Sequence, residues 1–307
     1  MTICRRRALI GVAAVAVSMV LSACGLGSTN SPSSSGKLAI VAAEDFWGSL
    51  ARQLGGDHVD VKSLIANPDT DPHDYEPTPS DGRAIASARL VITNGIGYDP
   101  WTDNLLSANK ASGRDVVKVG DLVGLKEGDN PHQWYSPAVV EKVMSAITDE
   151  YKKLDADRAG DYESLRRHVE TDALGAYHSV IADIKARYAG VAVGASESIF
   201  VPLADALGLH LLTPASFLDA ISEGNDPTAA DKATVDQQIA TKAVKVLVFN
   251  SQNSTPDVQR LVDAAKAKGI PVATVTETLT PQGATFQDWQ TGQLQALERA
   301  LATATGK

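Results

Sequence analysis

Residues 162–188 read YESLRRHVETDALGAYHSVIADIKARY, and this stretch decides the architecture. Tyr162, Leu165, Val169, Ala173, Tyr177, Ile181, Ile184 and Tyr188 recur every three or four residues, the period of one face of an amphipathic helix. At 1.5 Å per residue such a helix runs about 40 Å, long enough to lie along two lobes. On either side, short β-branched runs alternate with helical stretches. Before it come Leu38 to Ala43, a helix at Phe46 to Leu54, Val59 to Leu64, Leu90 to Thr93 and Val116 to Val119. After it come Val191 to Val193, Leu209 to Leu212, Val244 to Phe249 and Pro271 to Val275. This rhythm predicts an α/β fold of two Rossmann-like lobes with mostly parallel sheets, joined by a single long linker helix. The expected boundaries are an N-terminal lobe at 37–160, the linker helix at 161–189 and a C-terminal lobe at 190–307. A helical connector is stiff, so small lobe motions are expected, with Gly175 as the place for a bend. Thr78-Pro79, Ser136-Pro137 and Thr255-Pro256 read as helix starts, a capping residue followed by proline in the first turn.

The N-terminus speaks to compartment. Arg5, Arg6 and Arg7 precede an uninterrupted apolar run from Ala8 to Val20, closed by Leu21-Ser22-Ala23-Cys24. The run is shorter than the roughly 20 residues of a spanning helix and ends in a small-residue cleavage site, the pattern of a lipoprotein signal peptide at 1–23. Lipidation of Cys24 would then tether the protein to the outer face of the cell membrane. Ser28 to Gly36, without a large apolar residue, reads as a flexible linker completing the 24–36 segment. The chain has 2 cysteines, Cys4 in the leader and Cys24, so the folded part must rely on its hydrophobic core rather than on disulfides. Removal of three arginines makes the mature protein three units more negative than the formal −9 of the full chain. Such a charge argues against nucleic acid as a partner and is compatible with cations.

Two loops carry the chemistry. Asn67 to Asp81 is a proline-studded segment that puts His73 shortly before the helix started by Thr78. Asn130-Pro131-His132-Gln133-Trp134-Tyr135-Ser136-Pro137 repeats the setting: a Pro-His pair, then an aromatic, then a proline-started helix. Loops at the carboxyl ends of parallel strands are where open α/β sheets bind ligands, and neutral imidazole is the commonest transition-metal ligand. One such histidine alone is more often a solvated surface residue; the pair makes a half-site.

Asp71-Pro72-His73-Asp74-Tyr75-Glu76-Pro77 and Asn130-Pro131-His132-Gln133-Trp134 resemble signatures of the zinc and manganese substrate-binding lipoproteins of ABC importers. The stretch Ala88 to Trp101, with Asn94-Gly95-Ile96-Gly97-Tyr98, is similar to the segment after the first metal histidine there. The resemblance runs from about Lys37 to the C-terminus and implies a metal in the cleft between two α/β lobes, with two ligands from each. On its pattern the third ligand is Glu197 in Ala195-Ser196-Glu197-Ser198-Ile199-Phe200, the glutamate version of a position that is otherwise histidine. The fourth is Glu277, where the family usually has aspartate. The other readings are a Glu197 that merely complements a helix dipole, and a structural Glu277 with water completing the shell. Tyr75, Asn94 and Trp134 are candidates for orienting the ligands.

The resemblance implies capture of Mn²⁺ or Zn²⁺ and delivery to an ABC permease with its ATPase subunits, the protein acting as a monomer. Glu197, and the lack of a histidine-rich stretch between His73 and His132, tip the reading toward Mn²⁺ with Zn²⁺ close behind. Because imidazole must be neutral to coordinate, metal retention should weaken below about pH 6. His58, His168, His178 and His210 read as surface or packing residues. The competing functions are a metal-dependent hydrolase, which would keep an open coordination position, and a surface adhesin, for which 5% aromatics supply little material. The chain has neither a phosphate-binding Gly-x-x-x-x-Gly-Lys-Ser/Thr loop nor a Gly-x-Ser-x-Gly nucleophile elbow.

Overall fold

The computed structural model describes residues 36–67, 70 and 75–307. The leader, Cys24 and His73 lie outside the described residues. Strands β1 (Leu38–Glu44), β2 (Val59–Ile65), β3 (Leu90–Thr93) and β4 (Asp115–Lys118) form a parallel sheet in the order β2-β1-β3-β4. Strands β5 (Ala192–Ala195), β6 (His210–Leu211), β7 (Val246–Asn250) and β8 (Val272–Val275) repeat that order as β6-β5-β7-β8, again all parallel. In each sheet the chain starts inside, steps to one side and then crosses to the other. The reversal opens a crevice at the carboxyl ends of β1 and β3 in one sheet and of β5 and β7 in the other, the position where such sheets take ligands.

The inner strands are apolar on both faces because helices cover both. Ile40, Ala42, Leu90 and Ile92 point into the main core, whereas Val41 and Val91 pack against Ile85 and Ala88 on the opposite side. Thr78 closes a capping box with Asp81, and Thr255 accepts the backbone N–H of Val258, as their Thr-Pro pairs predict. Ser136 differs: Pro137 does start the Pro137–Leu154 helix, but the serine side chain makes no capping bond and only its carbonyl accepts, from Val139 and Val140.

The linker is helical from Ala159 to Tyr188 but is not one regular helix. An α-helix over Ala159–His168 passes into a π-helical turn at Val169–Ala173, and a second α-helix runs over Gly175–Tyr188. The irregularity is an i to i+5 bond from Leu174 N to Val169 O at 2.9 Å. A π turn adds a residue to the period and rotates everything after it. Leu174, not Ala173, is therefore fully buried after Val169, and the inward face continues through Tyr177, Val180, Ile184 and Tyr188. The perturbation thus falls immediately before Gly175.

The Phe286–Thr305 helix couples the two halves. Its start reaches the helix after β1, where Phe286 N donates to Ser49 Oγ at 3.0 Å and Gln53 and Gln287 exchange amide hydrogen bonds. Near its end, Arg187 on the linker pairs with Glu298 at 2.8 Å. Among the described residues no helix is long and apolar enough to cross a membrane.

Candidate metal centre

Each strand end delivers its residue by a local device. Ser196, one residue past β5, donates its N–H to Val248 O and accepts the Asn250 N–H on Oγ, which stitches β5 to β7. Glu197 follows in extended conformation, 1% exposed, just before the helical turn Ser198–Phe200. Past β8, Thr276 is held from three sides: its N–H donates to Gln293, its hydroxyl accepts from Trp289 Nε1 and its carbonyl accepts from the Tyr135 hydroxyl. Glu277 is next in the chain, its backbone N–H and that of Thr278 both directed at Gln252 Oε1.

His132 comes from the first half and is 1% exposed. Its Nδ1 lies 2.9 Å from Asn130 Oδ1, an oxygen that can only accept, so the ring carries its proton on Nδ1 and offers a lone pair at Nε2. Asn130 Nδ2 donates to Ser198 O in the other half at 2.8 Å, which fixes the orientation of that amide. Tyr98 and Trp134 pack edge-on around the imidazole. The loop behind it is strained: Gly95, Ile96 and Gly97 all have positive φ, and Ile96 at 59° is β-branched. Asp99 holds this loop by accepting the N–H groups of Asn94 and Gly95, and the result is to aim Tyr98 at Glu277, 3.0 Å from hydroxyl to Oε2.

The outcome is convergence. One ligand atom from each of His132, Glu197 and Glu277 lies within 4.8 Å of the others, although 65 positions separate the first two and 80 the last two. All four carboxylate oxygens accept a hydrogen bond: Glu197 from Asn250 at 2.8 Å and Asn253 at 2.6 Å, Glu277 from Asn250 at 3.0 Å and Tyr98. An imidazole nitrogen and carboxylate oxygens are the donor set that Mn²⁺ and Zn²⁺ share.

The sequence matches the family of the periplasmic zinc-uptake complex component A, ZnuA, over residues 40–300. The chain belongs to that family. It is similar to the manganese-binding lipoprotein MntA of Halalkalibacterium halodurans, 29% identical over 151 residues, 48% of this chain and 49% of that protein. The matched stretch thus spans about half of MntA's length, and 50% of that of the SsaB lipoprotein of Streptococcus sanguinis. Similarity extends further in the manganese ABC transporter substrate-binding lipoprotein PsaA of Streptococcus pneumoniae, 25% identical over 84% of this chain and 85% of that one. The high-affinity zinc uptake protein ZnuA of Bacillus subtilis is 26% identical over 92% of each chain. The fold is that of the Mn-bound periplasmic metal-binding protein of candidatus Liberibacter asiaticus, with a TM-score of 0.72, 19% identity and coverage of 86% and 100%. The zinc-binding protein TroA of Treponema pallidum gives a TM-score of 0.70 at 20% identity, covering 87% and 99%.

Within this family frame, the residues singled out from sequence fall into place unevenly. His132, Glu197 and Glu277 meet, while His73 lies outside the described residues. Asn94 donates to Pro131 O beside His132, and Trp134 packs on the imidazole, so both brace the site. Tyr75 instead donates to Asp81, the capping residue that also accepts from Thr78 and Lys62. Burial alone would raise the Asp81 carboxyl, but those bonds hold it down at about 2, ionised at any ordinary pH. His58 and His168 pair with Asp161 and Asp172. Tyr98 and Asn130 lie inside the quoted motifs but have no role assigned from sequence, and Asn250, Gln252 and Asn253 are site residues that the sequence does not single out. Its one signal is three amides within four residues, Asn250-Ser251-Gln252-Asn253, directly after a strand.

Proposed function

We propose that the protein captures a divalent transition-metal ion, Mn²⁺ or Zn²⁺, outside the cytoplasm and passes it to the permease and ATPase subunits of an ABC importer. The observation that carries the reading is the meeting of His132 from one half with Glu197 and Glu277 from the other, ligand atoms within 4.8 Å. Two carboxylates brought this close repel unless a cation or proton lies between them, so the site favours a divalent ion. His73 is proposed as the fourth ligand. Four protein ligands would close a tetrahedral shell, which suits capture better than hydrolysis, where a coordination position stays open for water. Cys24 is the proposed lipid anchor, consistent with the lipoprotein names of several relatives.

Mn²⁺ is favoured, with Zn²⁺ close behind, because carboxylate-rich sites suit Mn²⁺ and the third position is glutamate. The test is elemental analysis of the signal-less protein after stripping and equal exposure to Mn²⁺ and Zn²⁺. About one ion per chain, lost in His132→Ala, Glu197→Ala and His73→Ala, is the expected result. A parent that retains no metal overturns the proposal.

A further inference from the structure

Asn250 is fully buried at the carboxyl end of β7 and carries no charge, yet it touches both acidic residues of the site. Its Nδ2 donates to Glu197 Oε1 at 2.8 Å and to Glu277 Oε1 at 3.0 Å. Chemistry fixes the orientation of this amide: Oδ1 accepts from Gln252 N at 3.0 Å, and a flipped amide would face two carboxylates with its oxygen. Its backbone N–H is bonded to Ser196 Oγ, so the residue is anchored on both sheet strands that flank the crevice. Asn253 and Tyr98 differ in kind. Asn253 bonds Glu197 Oε2, and Tyr98 bonds Glu277 Oε2, each steadying a single carboxylate.

We propose that Asn250 is a positioning residue that presets the spacing of the two carboxylates and thereby sets how well the site distinguishes Mn²⁺ from Zn²⁺. This deepens the capture reading and rests on it. An ammonium or guanidinium at this point would also hold the carboxylates, but it would cancel the negative potential that draws a cation. A neutral amide orders them and leaves their charge for the metal. The ions depend on that ordering unequally. Zn²⁺ forms stronger bonds to nitrogen and oxygen than Mn²⁺ does, and it gathers loose ligands into a tetrahedron at about 2.0–2.2 Å. Mn²⁺ bonds are weaker and its shell larger, so its binding relies more on ligands already held in place. Without Asn250, Glu197 and Glu277 keep their separate tethers to Asn253 and Tyr98 but lose the amide that ties them to one another. Loss of an orienting partner typically weakens metal binding by about 10- to 100-fold, and that loss should fall mainly on Mn²⁺.

The experiment measures Mn²⁺ and Zn²⁺ dissociation constants by chelator competition for the parent, Asn250→Ala, Asn250→Ser and Asn253→Ala, with circular dichroism of each metal-free protein. Asn250→Ser keeps a small acceptor for Gln252 N and so protects the loop if alanine unfolds it. In either Asn250 variant, Mn²⁺ affinity is expected to fall at least about 10-fold and Zn²⁺ affinity no more than about 3-fold. Asn253→Ala should lower both alike and leave the ratio within about 2-fold. Equal losses for the two ions in the Asn250 variants, or no loss, overturn the inference while leaving metal capture intact. A parent that binds neither ion overturns the capture reading itself and this inference with it.

Discussion

Replacing Glu44 by glutamine should change how stability depends on pH rather than merely how large it is. Glu44 ends β1 and is fully buried, with its carboxyl group beside that of Asp99. Burial first, and then the negative charge of Asp99 beside it, push its carboxyl well above the ordinary 4.5. Asp99 is also raised by burial, but its two backbone donors favour its ionised form. Glu44 is therefore a neutral acid in the folded protein at pH values where the unfolded chain has released that proton. From about 4.5 upward the folded state holds one proton more than the unfolded state. Stability from this group is complete below that pH and declines as pH rises, at about 1.4 kcal/mol per pH unit, until the folded carboxyl itself titrates. As pH rises above about 5 the parent should lose stability from this source, up to the pH at which the folded carboxyl titrates, and Glu44→Gln should lose none of it. Urea unfolding of the metal-free proteins at half-unit intervals would show the variant gaining on the parent across that window. Parallel curves would refute the reasoning, because they would mean that Glu44 ionises in the fold as it does in water.

Asp81 has the opposite sign. Its carboxyl is held at about 2, so its contribution is complete above its ordinary 3.8 and disappears as pH falls through 2. Asp81→Asn should cost about 1–2 kcal/mol at pH 7, a figure reduced because Lys62 is 44% exposed, and much less near pH 2 in thermal unfolding; an equal cost at both would show that the charge is not what matters. The π turn predicts that Leu174→Ala costs about 2–4 kcal/mol by opening a cavity, whereas Ala173→Ser costs less than about 0.5 kcal/mol. A larger effect at 173 in denaturant titrations would restore the regular helix.

The linker shows where sequence reading stops. A run of three- and four-residue spacings from Tyr162 to Tyr188 identifies a helix because the period is a property of the local backbone. The π turn at Val169–Ala173 is not local in the same sense: the tertiary core chooses Leu174 over Ala173, since burying the larger side chain stabilises by more than one irregular bond costs. The Thr-Pro starts at Thr78 and Thr255 were legible because a cap acts on the backbone within three residues.

The candidate centre divides along the same line. His132, Glu197 and Glu277 were legible as residue types in loops after strands, helped by resemblance to a known pattern, because metal chemistry restricts which side chains can serve. That they meet within 4.8 Å, and that Asn250, Asn253 and Tyr98 hold them, was decided only by the packing of two sheets. The alternation of strands and helices by itself determined two parallel α/β sheets, since periodicity and capping are written along the chain. The spacing of the carboxylates and the raised carboxyl of buried Glu44 belong to the tertiary structure alone, because desolvation and hydrogen bonding depend on neighbours that the chain brings together from far apart.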